Sequence, residues 1–305
     1  MPYLIKPCQK IQGVLDLPGD KSISHRAIIL SSIARGKTEI NNFSLSDDCV
    51  ATLNAFKSLG VKIKIESKDR IIVYGGGLRG LKKPKCAINL AESGTSMRIL
   101  TGLLSAQNFT SRLDAHMSLR NRPMLRVIRP LRLMGANIKA RTEGREEYPP
   151  IIIFPAELKP LNWKMGVASA QVKSAILLAG LYAKGRTNVF EPVRTRDHTE
   201  RMLKNFRADI KIKGRNISIN PSDLISPKRI DIPADISSAA FFMVLGCLLG
   251  GSCIKIRNLG LNPSRAGIVN VLKRMGADIT ITHSRRKYFE PMADVTIRSA
   301  KLKAV

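Results

Sequence analysis

Aromatic residues are scarce in this 305-residue chain: they make up 5%, with a single tryptophan, Trp163. Platforms on which nucleic-acid bases stack are correspondingly few. Acidic residues are short as well, 23 against 51 Lys and Arg, which leaves a formal net charge of +28. No apolar run reaches the roughly 20 residues that cross a bilayer. The opening MPYLIKPCQK lacks the apolar stretch of a secretory signal. Five cysteines (Cys8, Cys49, Cys86, Cys247, Cys253) are scattered, odd in number and without a CxxC pair. That excludes a disulfide framework and fits a reducing, cytoplasmic compartment. The four histidines lie far apart, which argues against a zinc site.

What is present is an ordinary globular composition, 44% hydrophobic and 24% charged, in a chain long enough for about two domains with sizeable cores. The charge has three readings: a nucleic-acid surface, anionic small-molecule substrates, or a more acidic part of the protein that this sequence does not contain. The basic residues are dispersed and aromatics are few, so the last two are favoured together.

One pattern recurs: an amphipathic helix, a tight turn, then an alternating strand. It reads LNAFKSLGVKIKI, IRPLRLMGANIKA, MLKNFRADIKI and VLKRMGADITI, with Gly60, Gly135, Arg207 and Gly276 at the turn. Glycine there supplies a left-handed C-cap, so the turn at Arg207 is expected to differ. The period of about 70 residues is too long for a solenoid and fits a compact unit of several strands and two helices. The final stretch, YFEPMADVTIRSAKLKAV, reads as strands with no closing helix.

Several helix starts carry Ser or Thr, Gly and a cation. In LPGDKSISHRAIILSSIARG, Ser22 is placed to cap a helix with Lys21 beside it and Arg26 one turn on. In ESGTSMRIL, Gly94 allows close backbone approach, Thr95 or Ser96 is the expected cap, and Arg98 lies on the first turn. In LRNRPM, Arg120 and Arg122 precede Pro123, which suits a first helical turn; two guanidiniums there are placed to hold a carboxylate or phosphate. SAQVKSAILLAG offers Ser169 as cap, with Gln171 and Lys173 on the first turn. TRDHTERML crowds Arg196, Asp197, His198 and Glu200 at a helix start, with Asp197 or Thr199 as cap. Each alone reads equally as a capped surface or core helix. Together, helix N-termini with cations describe a cleft that collects negative groups.

These segments, with YPP, DISSAAFF and NPSRAGIVNVLKRMGA, run in one order along the chain. In that order they resemble the EPSP synthase family, the 3-phosphoshikimate 1-carboxyvinyltransferases of aromatic amino acid biosynthesis. The resemblance implies an α/β, two-domain enolpyruvyl-transferase fold of repeated βαβαββ units, about four of six being present. One three-unit domain on the shikimate 3-phosphate side would span 21–231; 1–20 with 232–305 would form part of a second. It further implies transfer of the enolpyruvyl group of phosphoenolpyruvate to the 5-hydroxyl of shikimate 3-phosphate, with release of phosphate. No metal or organic cofactor, nucleic acid or membrane is implied, and the protein is expected to be a monomer.

By resemblance, Lys21 touches both substrates and is the catalytic residue of the set. Ser22, Arg26, Ser169, Ala170 and Arg196 hold shikimate 3-phosphate. Gly94 and Arg122 hold phosphoenolpyruvate, and Gln171 lies between the two. Glu92 stands where the family commonly has Asn, and needs a cation such as Arg98 to avoid repelling the ligand. Ala234 replaces a frequent Gly. The family's catalytic aspartate and its KESDR-like and DHR-like segments have no counterpart here. The expectation is therefore an incomplete chain that binds shikimate 3-phosphate weakly, does not turn over, and exposes the apolar run FFMVLGCLLGG. Three alternatives are weighed against it: a nucleic-acid-binding protein, a non-catalytic remnant, and the sister transferase acting on a UDP-sugar. The last lacks support here, since LRNRPM has no reactive cysteine and KSISHR replaces its KN pair.

Overall fold

A computed structural model describes residues 7–285 and 289–305. The first six residues of the N-terminal segment and Tyr288 of the last strand-like run lie outside them. The chain separates into two compact units, one of Lys21–Asp231, the other of Met1–Asp20 with Ile232–Val305.

After β1 (Gln12–Leu15), the chain enters the larger unit through α1 (Lys21–Ile33) and β2 (Ala34–Asn41). Then come α2 (Asp47–Ser58), β3 (Lys62–Ile65) and β4 (Ile71–Gly76). The second stretch runs β5 (Ile88–Asn89), α3 (Gly94–Leu104), β6 (Ser111–Asp114), a short α4 (Met117–Arg120), α5 (Leu125–Leu133), β7 (Asn137–Glu143) and β8 (Glu146–Phe154). The third is β9 (Asn162–Lys164), α6 (Ala170–Gly180), β10 (Thr187–Phe190), α7 (His198–Asn205), β11 (Ile210–Lys213) and β12 (Asn216–Ile219). Two short strands, β13 (Leu224–Ile225) and β14 (Arg229–Asp231), complete this unit. The smaller unit adds α8 (Ile236–Leu248), β15 (Cys253–Gly260), α9 (Gly267–Arg274), β16 (Asp278–Arg285) and β17 (Met292–Arg298).

The sheets share one plan. Their orders are β5-β6-β8-β7, β9-β10-β12-β11, β13-β2-β4-β3 and β1-β15-β17-β16. In each, the first two strands are parallel and the others antiparallel. This is a βαβαββ unit four times over. In two of the units the first strand comes from a distant part of the chain: β13 and β14 pair with β2, and β1 with β15.

The two helices of a unit differ in sequence for a physical reason. α1, α3 and α6 are buried along nearly their whole length, so they are apolar or small on all sides. α5 buries Val127, Ile128, Pro130 and Leu131, α7 buries His198, Thr199, Glu200, Met202 and Leu203, and both turn their Lys and Arg residues outward. α2 complements its own dipole, with Asp47 and Asp48 in its first turn and Lys57 in its last.

α8 has the all-apolar sequence of the inner helices but buries only Ile236, Ala239, Met243, Gly246 and Cys247. Phe241 is 79% exposed and Leu248 64%, so the apolar run is uncovered as its sequence suggested. No helix among the described residues is long and apolar enough to cross a membrane.

Three sequence expectations need correction. The turn at Arg207 does not differ: its φ is +62°, in the same left-handed region as Gly60 (+82°), Gly135 (+95°) and Gly276 (+92°). Helix geometry imposes that turn whatever residue sits there. Pro123 is not in a helical first turn but lies just before Met124, the N-cap of α5. Of the closing run, Met292–Arg298 is strand and the residues after it are not.

Candidate functional site

Three inner helices of the larger unit bring the predicted residues together. α3 lies tightly against α6, because Gly102 offers no side chain: a Cβ there would fall 2.2 Å from the Ala175 carbonyl oxygen. Their first turns are joined by Gln171, whose Oε1 accepts from Arg98 Nη1 (3.2 Å) and whose Nε2 donates to Thr95 Oγ1 (3.0 Å). The two helices are therefore parallel, with both positive ends on one side.

At the α3 mouth the cap is Ser93, not Thr95 or Ser96. Its Oγ accepts from the Ser96 backbone N–H, and the helix begins two or three residues earlier than the sequence suggested. Gly94 follows directly, and a Cβ at that position would lie 2.8 Å from Arg98 Nη1 and 3.5 Å from Arg122 Nη1. Glycine thus leaves two guanidiniums beside bare backbone. Arg98 also donates to the Gly94 carbonyl at 3.2 Å. Burial, then the like charges of Arg122 and Arg126, lower the Arg98 guanidinium from its ordinary value. Such crowding of cations is relieved by an anion.

Arg120 and Arg122 do not act as a pair. Arg120 grips Asp114 with Nε–Oδ1 at 2.8 Å and Nη2–Oδ2 at 3.0 Å, whereas Arg122 is exposed at the Gly94 turn. Burial alone would raise the Asp114 carboxyl; the Arg120 contacts outweigh it and lower it. Glu92 is answered by other partners than Arg98. It accepts from Ser118 Oγ and lies 3.7 Å from His116 Nδ1.

At the α6 mouth Ser169 is the N-cap, its Oγ accepting from Val172 N at 3.4 Å, with Ala170 the first helical residue. Lys173 faces inward. It is fully buried and pairs with Glu191 (3.0 Å) and Glu200 (2.5 Å). Glu191 in turn accepts from the backbone N–H and Oγ1 of Thr195, so this ion cluster fastens the loop carrying Arg196. Burial pushes the Glu200 carboxyl up against the pull of Lys173.

α1 starts at Lys21, so Ser22 sits inside its first turn and does not cap it. Ser22 Oγ instead faces Arg196 Nη1 at 3.4 Å. Lys21 pairs with Asp48 of α2. Arg26 is buried, donating from Nε to Thr199 Oγ1 (2.6 Å), from Nη2 to Ser174 Oγ (3.0 Å) and from Nη1 to the Ser22 carbonyl (2.9 Å). It therefore ties α1 to α6 and α7. Asp197 occupies the N-cap of α7 but its carboxylate binds Arg201 Nε at 2.8 Å, and His198 is buried.

All the predicted positions thus fall in one connected region of the larger unit: Arg196 and Ser22, then Arg26 to α6, then Gln171 to Arg98, Gly94 and Arg122. Sequence reasoning missed Asp48, Ser174 and Glu191, and took Thr199 for a possible cap and Lys173 and Glu200 for charges at helix starts. Each acts through a partner distant in sequence, which no local motif reveals.

The family model for EPSP synthase (3-phosphoshikimate 1-carboxyvinyltransferase) matches residues 5–304. A 3-phosphoshikimate 1-carboxyvinyltransferase of Desulforamulus reducens is 44% identical over 302 residues, 99% of this chain and 70% of the relative. That of Petrotoga mobilis is 48% identical over 303 residues, again 99% and 70%. The solved EPSP synthase of Acinetobacter baumannii superposes with a TM-score of 0.91 at 45% identity, covering 97% of this chain and 66% of that one. The chain thus spans about two thirds of the length of the relatives it matches.

Proposed function

The chain belongs to the EPSP synthase family, and we propose from this that the region of Lys21–Asp231 just described binds shikimate 3-phosphate beside phosphoenolpyruvate. The reaction is transfer of the enolpyruvyl group to the 5-hydroxyl of the first, with loss of phosphate from the second. Ser22, Ser169, Ala170 and Arg196 receive the shikimate phosphate, with Arg26 supplying buried positive charge beneath them. The Gly94 turn and Arg122 receive the phosphate of phosphoenolpyruvate. Gln171 lies between the ligands, and Lys21 reaches both as the catalytic residue, held in place by Asp48.

One observation carries this reading. Two parallel helix N-termini, α3 and α6, are bridged by Gln171, and beside the first of them the Arg98 guanidinium is crowded by the like charges of Arg122 and Arg126. Two polyanions held side by side need this arrangement, because their mutual repulsion must be offset before the reacting atoms meet.

The test is calorimetric titration of the chain with shikimate 3-phosphate, then with phosphoenolpyruvate on the first complex, alongside an assay of phosphate release. Arg196→Ala should weaken shikimate 3-phosphate about tenfold or more, and Arg122→Ser should do so for phosphoenolpyruvate. A wild-type chain that binds neither ligand at millimolar concentration would refute the assignment.

A further inference from the structure

A line of buried polar side chains runs from α1 through α2 to the cap of α3, and the chemistry above does not use it. His25 of α1 is fully buried, and its Nδ1 lies 2.7 Å from Thr52 Oγ1 of α2. Thr52 Oγ1 is 2.5 Å from Ser96 Oγ of α3, and Ser96 Oγ is 2.6 Å from Ser93 Oγ, the cap of α3. Thr52, Ser96 and Ser93 are also fully buried. Ser96 Oγ stands 3.4 Å from His25 Nδ1 as well, so His25, Thr52 and Ser96 close on one another, with Ser93 joined through Ser96. The other ring nitrogen, His25 Nε2, is buried without a hydrogen-bond partner.

Those facts favour one arrangement of the protons. Burial, then Arg26 and more weakly Lys21, hold the imidazole neutral by pushing it down to about 3, with Asp48 acting in the opposite sense. A neutral ring has one N–H. Placed on Nε2, that hydrogen would be a buried donor with no acceptor; placed on Nδ1, it leaves only a bare lone pair, the lesser cost. With Nδ1 donating, Thr52 passes its hydroxyl hydrogen to Ser96 at 2.5 Å in preference to the Asp48 carbonyl at 3.1 Å. Ser96 then donates to Ser93. The cap oxygen receives both the Ser96 hydroxyl and the Ser96 backbone N–H.

We propose that His25 is a positioning residue: its Nδ1–H sets the direction of a hydroxyl relay that locks the Ser93–Gly94 turn of α3 to α1. The functional consequence rests on the ligand assignment above; the relay itself does not.

Two measurements test it. With only four histidines in the chain, nitrogen-15 NMR of the labelled protein resolves the His25 ring. The expected result is a neutral Nδ1–H tautomer that does not titrate between about pH 5 and 8; an Nε2–H tautomer, or titration in that range, would overturn the relay. Phosphoenolpyruvate is then titrated onto the protein saturated with shikimate 3-phosphate. His25→Asn puts an amide N–H where Nδ1–H was and gives up the outer part of the ring, including the unpartnered Nε2, so it should bind as wild type does. His25→Leu and Ser96→Ala should weaken phosphoenolpyruvate about tenfold and shikimate 3-phosphate much less. Equal affinity in Leu and wild type, or equal loss in Asn and Leu, would sink the proposal. If His25→Leu does not fold, Ser96→Ala decides in its place. If wild type binds neither ligand, the ligand assignment fails while the NMR result still judges the relay.

Discussion

Arg207 holds a left-handed backbone (φ +62°) on an exposed turn, at the position where three sister turns use glycine. A Cβ in that region crowds the neighbouring carbonyl, at a cost of roughly 1–2 kcal/mol that glycine avoids. Part of the gain is lost to the freer unfolded chain. Arg207→Gly should therefore raise the free energy of unfolding by about 0.5–1 kcal/mol in urea, with an unchanged m-value. Loss of stability would show that the arginine side chain contributes more than its backbone costs. The sequence marked this residue as an exception but not the kind of exception, because the register of the repeat is visible in the string and a dihedral angle is not.

His25 supplies a second prediction at the same scale. Its folded pKa of about 3 lies below the unfolded 6.5. The unfolded chain takes up the proton first, so the contribution of His25 is complete above pH 6.5 and is lost as pH falls toward 3. Between about pH 7 and 5 that loss is about 2 kcal/mol. Glu200, raised by burial, acts in the other sense: its penalty eases as pH falls. It is common to both proteins, so His25→Asn should lose about 2 kcal/mol less than wild type over this interval in denaturant titrations. Identical pH profiles would mean that His25 titrates in the fold as it does in the unfolded chain.

Between elements, the site depends on how closely two helices approach. Gly102 of α3 meets the backbone of Ala175 of α6, and Gln171 spans their first turns. A methyl group at 102 has a backbone carbonyl in its way, not a flexible side chain, so the helices must part. Gly102→Ala should cost about 3 kcal/mol or more in unfolding free energy and weaken both ligands. A neutral result would show that the contact has slack. Lys173 is the other fastener between elements. Removing it leaves Glu191 and Glu200 buried without their cation, so Lys173→Met should destabilise by about 3–5 kcal/mol. The helices and, to within a few residues, the starts of α1, α3 and α6 were legible in the sequence, because apolar periodicity and Ser/Gly/Arg groupings are local. The pairing of Arg120 with Asp114, the partners of Glu92, and the inward turn of Lys173 were not. Each is decided by what a neighbouring strand or helix places opposite.

For the molecule as a whole, the repeat predicted from four helix–turn–strand motifs is real, but two of its four units are not contiguous. β13 and β14 complete a sheet begun about 190 residues earlier, and β1 completes one formed by the last strands. Strand exchange of this kind leaves no mark in periodicity. The net charge of +28 is also a property of the whole. Ion pairs such as Arg120–Asp114 and Lys173–Glu200 neutralise some cations locally, yet 51 basic residues face only 23 acids, so most of the excess is self-repulsion. Repulsion over distances beyond the Debye length is screened, and that length shrinks from about 30 Å at 0.01 M to about 3 Å at 1 M salt. Raising NaCl from about 0.02 to about 0.5 M should therefore raise the melting temperature, opposite to a fold held by surface ion pairs. Phosphate at matched ionic strength should raise it further, through the Gly94 and Ser169 helix starts, and Arg122→Ser should remove part of that extra gain. A melting temperature that falls with NaCl would show that attractive pairs outweigh the excess charge. Equal curves in phosphate and chloride would show that the cations form a diffuse field and not a site.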